Sequence, residues 1–129
     1  MIVDTSALIA ILKEEAGWED LVARMQKASS RKMSAASWLE AAIIIDALKD
    51  ATTSWRYDAI FAKLEIRIIP VTEQQAQLAR KAYKDFGKGS GHAARLNFGD
   101  CFSYALAMES GEALLFKGED FRHTGIQVA

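Results

Sequence analysis

The amino-acid sequence predicts an α/β fold, with a short, mostly parallel sheet covered by helices on both faces. Three observations carry that expectation. Short strand-like runs recur at residues 1–3, 32–35, 66–71, 113–116 and 126–128. Longer segments between them bring apolar residues back at helical spacing. Strands and helices alternating in this way build a parallel sheet buried on both sides. The chain has 129 residues, half of them hydrophobic, with one proline and no low-complexity stretch, which suits a single domain over 1–129 without a linker.

In chain order, residues 1–3 read as a buried strand ending in the turn Asp4-Thr5-Ser6. Residues 7–13 read as helix. Gly17 interrupts the pattern, and Trp18, Leu21, Val22 and Met25 resume it. Residues 32–35 form a second short strand. Residues 37–48 predict a helix whose apolar side chains nearly encircle it, whereas a surface helix shows one stripe. That helix is either central to the core or covered on a second side by another subunit. Residues 54–64 read as helix, and the β-branched run 66–71 as a buried strand with Pro70 near its end. Thr72 to Gln75 fits a capping box opening a helix over 76–86. Gly87 to Gly91 is a loop by composition. A helix over 98–109 and strands at 113–116 and 126–128 complete the chain.

Composition narrows the function classes. The net charge is −1, so the chain is not a generic basic binder of polyanions. The most apolar stretch is broken by Glu40 and Asp46 and falls short of the roughly 20 residues of a membrane span. No basic leader precedes the first strand, and Cys101 is the only cysteine, so the expected location is the cytoplasm. Cys101 itself reads as a small buried residue.

In parallel sheets, sites form beyond the carboxyl ends of the strands. Asp4 follows the first strand, Asp120 follows the strand ending at Phe116, and Glu40 and Asp100 fall in first turns of predicted helices. Each acid also has an ordinary role. Asp4 can cap a helix, Glu40 can close a capping box with Ser37, Asp100 can do so with Asn97, and Asp120 can be a loop acid beside Glu119. Gathered together, they need more than that. Carboxylates about 5 Å apart repel by several kcal/mol at an effective dielectric near 20, so protons or a cation must neutralise them. Oxygen ligands alone favour Mg²⁺ or Mn²⁺. His92 and His123 have no ligand-spaced partners, which argues against zinc. Mg²⁺ on carboxylates suits phosphodiester hydrolysis. Setting the four acids aside turns the formal charge from −1 to +3, which permits a nucleic-acid partner.

The motifs resemble those of PIN-domain ribonucleases, in particular VapC-type toxins of bacterial toxin–antitoxin pairs. Ile2-Val3-Asp4-Thr5-Ser6-Ala7-Leu8 is similar to the first family motif and Ser34-Ala35-Ala36-Ser37-Trp38-Leu39-Glu40 to the second. The stretch from Gly89 to Asp100, followed by Ser103-Tyr104-Ala105-Leu106-Ala107, resembles the third. Leu114-Leu115-Phe116-Lys117-Gly118-Glu119-Asp120-Phe121 resembles the last. The resemblance implies a three-layer α/β/α PIN-like domain and an acidic quartet of Asp4, Glu40, Asp100 and Asp120 around Mg²⁺, with Asp4 and Asp100 the most direct ligands. Thr5 and Ser6 match hydroxyl positions that orient a ligand or a water, with Asn97 and Glu119 as further neighbours of the ligands. It also implies a homodimer, a VapB-type antitoxin bound near the site, and endonucleolytic cleavage of structured RNA such as transfer or ribosomal RNA.

Lys117, Arg95 and His92 are candidates for touching substrate phosphates, against the plainer reading of a solvated loop for the last two. Trp18, Trp38 and Trp55 read as packing residues before base-stacking ones. Two other functions compete: a binding module whose acids receive a basic partner segment, and a DNA nuclease of related architecture.

Overall fold

The computed structural model describes residues 1–129. Four short strands, β1 (Ile2–Val3), β2 (Arg31–Ser34), β3 (Ile66–Ile69) and β4 (Leu114–Leu115), form one sheet in the order β3-β2-β1-β4, every neighbouring pair parallel. Ile2 stands beside both Lys32 and Leu114, and Met33 beside Ile68.

The helices are α1 (Thr5–Leu12), α2 (Trp18–Lys27), α3 (Ala35–Asp46), α4 (Ala51–Lys63), α5 (Glu73–Phe86) and α6 (Asp100–Ser110). A short 3₁₀ helix, Asp120–His123, follows β4. Successive strand residues face opposite sides. Val3, Met33, Ile66 and Leu115 pack against α1 to α4, whereas Ile2 and Leu114 pack against α5 and α6. The architecture is therefore three-layered, α/β/α, as expected. None of the helices is long and apolar enough to cross a membrane.

Several boundaries differ from the sequence expectation for local reasons. The first helix begins at Thr5, because the Asp4 carboxylate caps it through Ser6 N–H. The third begins at Ala35, because Ser34 supplies the cap. Ser37 is thus inside the helix, where its hydroxyl meets that of Ser103 on α6 at 3.0 Å, and it forms no capping box with Glu40. Thr72 caps α5 through Gln75 N–H at 3.1 Å, but the Gln75 amide turns away to Glu109 of α6, so only half of that box exists. The expected last strand is reduced to one bridge, Val128 beside Leu114. The pairing there consists of two hydrogen bonds, Leu114 N–H to Gln127 O at 2.8 Å and Ala129 N–H to Leu114 O at 3.0 Å.

The reading of α3 as a central core helix fails. It buries only Ser37, Ala41 and Ile45, while Leu39 (53%) and Ile43 (60%) remain exposed.

A further tie locks the middle of the sheet. Glu112, in the turn before β4, accepts from the Met1 amino group at 2.5 Å and from the Lys32 ammonium. It thereby pins β1 and β2 to the segment that leads into β4.

Candidate active site

Beyond the carboxyl end of β1, a cleft of about 330 Å³ opens between the first turn of α1, the second turn of α3, the start of α6 and the loop after β4. Asp4, Glu40, Asp100 and Asp120 all line it, together with Thr5, Ser6, Asn97 and Lys117. Acids 116 residues apart in sequence thus share one cavity, because the parallel sheet puts every strand end on the same edge.

Asp4 is almost fully buried, 2% exposed. Its backbone N–H donates to Leu115 O at 2.9 Å, which fixes it against β4. Its Oδ2 accepts from Ser6 N–H (2.9 Å) and the Ser6 hydroxyl (2.6 Å), leaving Oδ1 free for another partner. The Ser6 hydroxyl in turn accepts the Lys117 backbone N–H at 3.0 Å. One hydroxyl therefore couples the Asp4 carboxylate to the loop that carries Asp120.

The Thr5 hydroxyl lies 3.2 Å from Ser37 O and 3.4 Å from Glu40 Oε2, tying α1 to α3. Burial, with the Asp4 charge added, pushes the Glu40 carboxyl above its ordinary value. Asp100 and Asn97 make a reciprocal box. Asn97 Oδ1 accepts Asp100 N–H at 2.9 Å, and Asp100 Oδ2 accepts Asn97 N–H at 2.8 Å. The capping role and a place in the cleft coexist, since one carboxylate has two oxygens. Burial first, then the charges of Asp4, Asp120 and Glu40, raise the Asp100 carboxyl to about 7, against the lowering effect of the Asn97 bond.

Asp120 opens the 3₁₀ helix on the exposed rim. Glu119 turns away from the cleft and pairs with Arg122 at 3.1 Å. His92 and Arg95 do not line the cleft. His92 packs edge-on against Phe86, ring centres 4.9 Å apart, and its Nδ1 accepts Ala94 N–H. Two neighbours escaped the sequence reading. Glu15 lines the cleft from the α1–α2 turn, and nothing in its local sequence marks it. Gly99 lies against the Glu40 carboxylate. Cys101 is buried as expected, and burial together with Asp100 pushes its thiol up to about 11, so it is a poor nucleophile.

The donor set suits a hard divalent cation. The cleft is lined by five carboxylates and one lysine, whose ammonium is already donated to Ala16 O. Two of those carboxyls hold their protons more tightly, first through burial and then through the charges of the others. No three acids already meet at one point, so an ion would draw in the longer Glu40 and the exposed Asp120.

Comparison with known proteins agrees with this architecture. The sequence pattern of the PIN domain matches residues 1–127. Ribonuclease VapC28 of Mycobacterium tuberculosis is 53% identical over 129 residues, covering 100% of this chain and 97% of the relative. Ribonuclease VapC30 of the same species is 45% identical, covering 98% and 95%. Among solved structures, Mycobacterium tuberculosis VapC20, described as a Sarcin-Ricin loop cleaving toxin, superposes with a TM-score of 0.75 at 20% identity, covering 99% of this chain and 97% of that one. VapBC2 from Rickettsia felis, bound to a DNA fragment from its promoter, gives a TM-score of 0.74 at 14% identity, covering 99% and 96%. These two likenesses speak for the fold, and the closer relatives for the family. The chain belongs to the PIN-domain family and, within it, to the VapC ribonucleases of toxin–antitoxin systems.

Proposed function

We propose that this chain, acting as one unit over residues 1–129, is a Mg²⁺-dependent endoribonuclease toxin that cuts structured RNA in the cytoplasm and is restrained by a VapB-type antitoxin. The observation that carries the reading is the convergence of Asp4, Glu40, Asp100 and Asp120 on one cleft. Asp4 and Asp100 would hold the ion most directly, with Glu40 and Asp120 completing the oxygen set, and Mn²⁺ fits the same donors. A bound ion supplies Lewis acidity and a water of lowered pKa. The protein contributes orientation. Ser6 aims the Asp4 carboxylate, Thr5 holds Glu40 near it, and Asn97 fixes one oxygen of Asp100 while the other keeps no hydrogen bond.

Two surfaces support the partners. A groove of about 340 Å³ between α1, α2 and α4 is lined by Leu12, Trp18, Val22, Trp55, Ile60 and Leu64, with Trp55 69% exposed, and would receive an apolar antitoxin segment. The exposed Leu39 and Ile43 of α3 meet Phe98 (76% exposed) and Phe102 around a second apolar hollow, which supports a homodimer. That surface is where the second covering predicted for α3 would lie.

The test is cleavage by the purified protein. Asp4→Asn and Asp100→Asn should fold normally and cut no RNA, and a chelator should silence the wild type. Wild-type rates in both variants, unaffected by chelator, would overturn the metal mechanism. Absence of turnover with Mg²⁺ would favour a binding module, and preference for single-stranded DNA over folded RNA a DNA nuclease.

A further inference from the structure

Beside the acidic cleft lies a second polar groove of about 200 Å³, between the α1–α2 turn and the loop after β4. Its charge is opposite. Arg24, Lys117 and Arg122 line it against a single acid, Glu119. Lys117 belongs to both cavities, so the basic groove begins at the rim where the acidic cleft ends.

We propose that this groove holds the RNA sugar–phosphate backbone flanking the cleavage point, so that the strand reaches the acids by passing over Lys117. The proposal rests on the nuclease reading. A polyanion cannot lie across a cleft of carboxylates unless the phosphates on either side of the reacting one find cations elsewhere. A bound ion serves the phosphate in the cleft, and the basic groove is the cationic surface that adjoins it. Its two arginines are available for exchange. Arg24 is exposed and pairs with Asp20 at 2.7 Å and with Ala129 O at 2.8 Å, and Arg122 is exposed and pairs with Glu119 at 3.1 Å. Exposed pairs of this kind are weak, and a phosphate oxygen can replace either carboxylate. The walls also leave room for a backbone. Gly17 and Gly118, at φ 87 and φ 109, each face open space where a side chain would stand.

The experiment measures binding of a fluorescein-labelled hairpin RNA across a KCl series, in an Asp100→Asn background that does not cut. The double change Arg24→Gln with Arg122→Gln should weaken binding by about tenfold and flatten the plot of log affinity against log salt by roughly 0.7 for each lost single-stranded phosphate contact. Arg24→Lys with Arg122→Lys should retain most of the slope. Lys81→Gln with Lys84→Gln, exposed on α5, should leave both affinity and slope unchanged. Parental affinity and slope in the Gln pair, or an equal loss in the α5 control, would overturn the groove, as would failure of the parent to bind at low salt. Wild-type cleavage with Mg²⁺ is assayed alongside. If the wild type cuts while the Gln pair binds normally, the groove alone falls. If the wild type cuts nothing while the Gln pair loses affinity, the groove stands as an RNA-binding surface and the nuclease reading falls.

Discussion

The Glu40 carboxylate occupies the space where a side chain on Gly99 would begin. A Cβ on Gly99 would stand 2.0 Å from Glu40 Oε2 and 2.6 Å from Oε1. The backbone at Gly99 is ordinary right-handed helix, φ −63 and ψ −41, so its conformation does not require glycine. The requirement comes from across the cleft. Gly99→Ala should displace Glu40 and lower RNA cleavage by about tenfold or more, since outer supports of a metal ligand are worth roughly 10–100-fold. In a Glu40→Ala background the same change should cost no further activity and should raise stability by up to about 1 kcal/mol, because alanine fits this backbone conformation and restricts the unfolded chain. Loss of stability in that background, read by thermal melting, would show that Gly99 does something other than accommodate Glu40.

Ser6 is expected to act through Asp4. Its hydroxyl donates to Asp4 Oδ2 and accepts the Lys117 N–H. Ser6→Ala should keep the fold, reduce cleavage by roughly 10–100-fold and raise the Mg²⁺ concentration needed for half-maximal rate. An unchanged Mg²⁺ titration would remove Ser6 from ligand positioning.

Stability should depend on pH in a specific direction. The Asp100 carboxyl is raised from 3.8 to about 7, and Glu40 is raised as well. A raised carboxyl pKa favours the folded state fully below the unfolded value, and this contribution disappears as pH climbs through the folded value. The metal-free protein should therefore melt at progressively lower temperature between about pH 4 and pH 7. Mg²⁺ binds the deprotonated acids, so its stabilisation should be largest at and above pH 7. Melting curves with chelator and with Mg²⁺ check this. Asp100→Asn should flatten the chelator series, and an unchanged slope there would assign the effect to other groups.

The buried pair Ser37 and Ser103 offers a stability test apart from chemistry. Each hydroxyl is fully buried and bonds the other. Removing either alone should cost about 1–3 kcal/mol by leaving its partner unsatisfied, and the double alanine variant should cost less than the sum. Urea unfolding of the three variants measures the coupling, and additive losses would mean the two hydroxyls are independent.

The fold was readable where burial dictates residue type. Val3 and Leu115 face one core and Ile2 and Leu114 the other, so their strands are apolar throughout. Asp4 was readable for the same reason, since a lone acid ending such a strand must lie at its rim. Glu40 was harder, because Ser34 and Ser37 are competing caps. The structure uses Ser34, which turns Ser37 inward and moves Glu40 into the second turn. His92 and Arg95 were drawn toward the site by sequence nearness to Asp100, but the bridge from Gly87 to Leu96 folds their loop back over Phe86. Gly99 and Glu15 matter through contacts across the cleft, which no local pattern records.

The strand order also governs when the acidic cleft can first be assembled. β1 is made first yet completes its pairing only with β4, and the Asp4 N–H finds its acceptor at Leu115. A chain emerging from the ribosome therefore holds an unfinished acidic edge until β4 has been made. Asp120 comes later still, five residues beyond Leu115. A chain stopped anywhere ahead of β4 would lack both the Leu115 acceptor that seats Asp4 and Asp120 itself, and so could not assemble the acidic cleft.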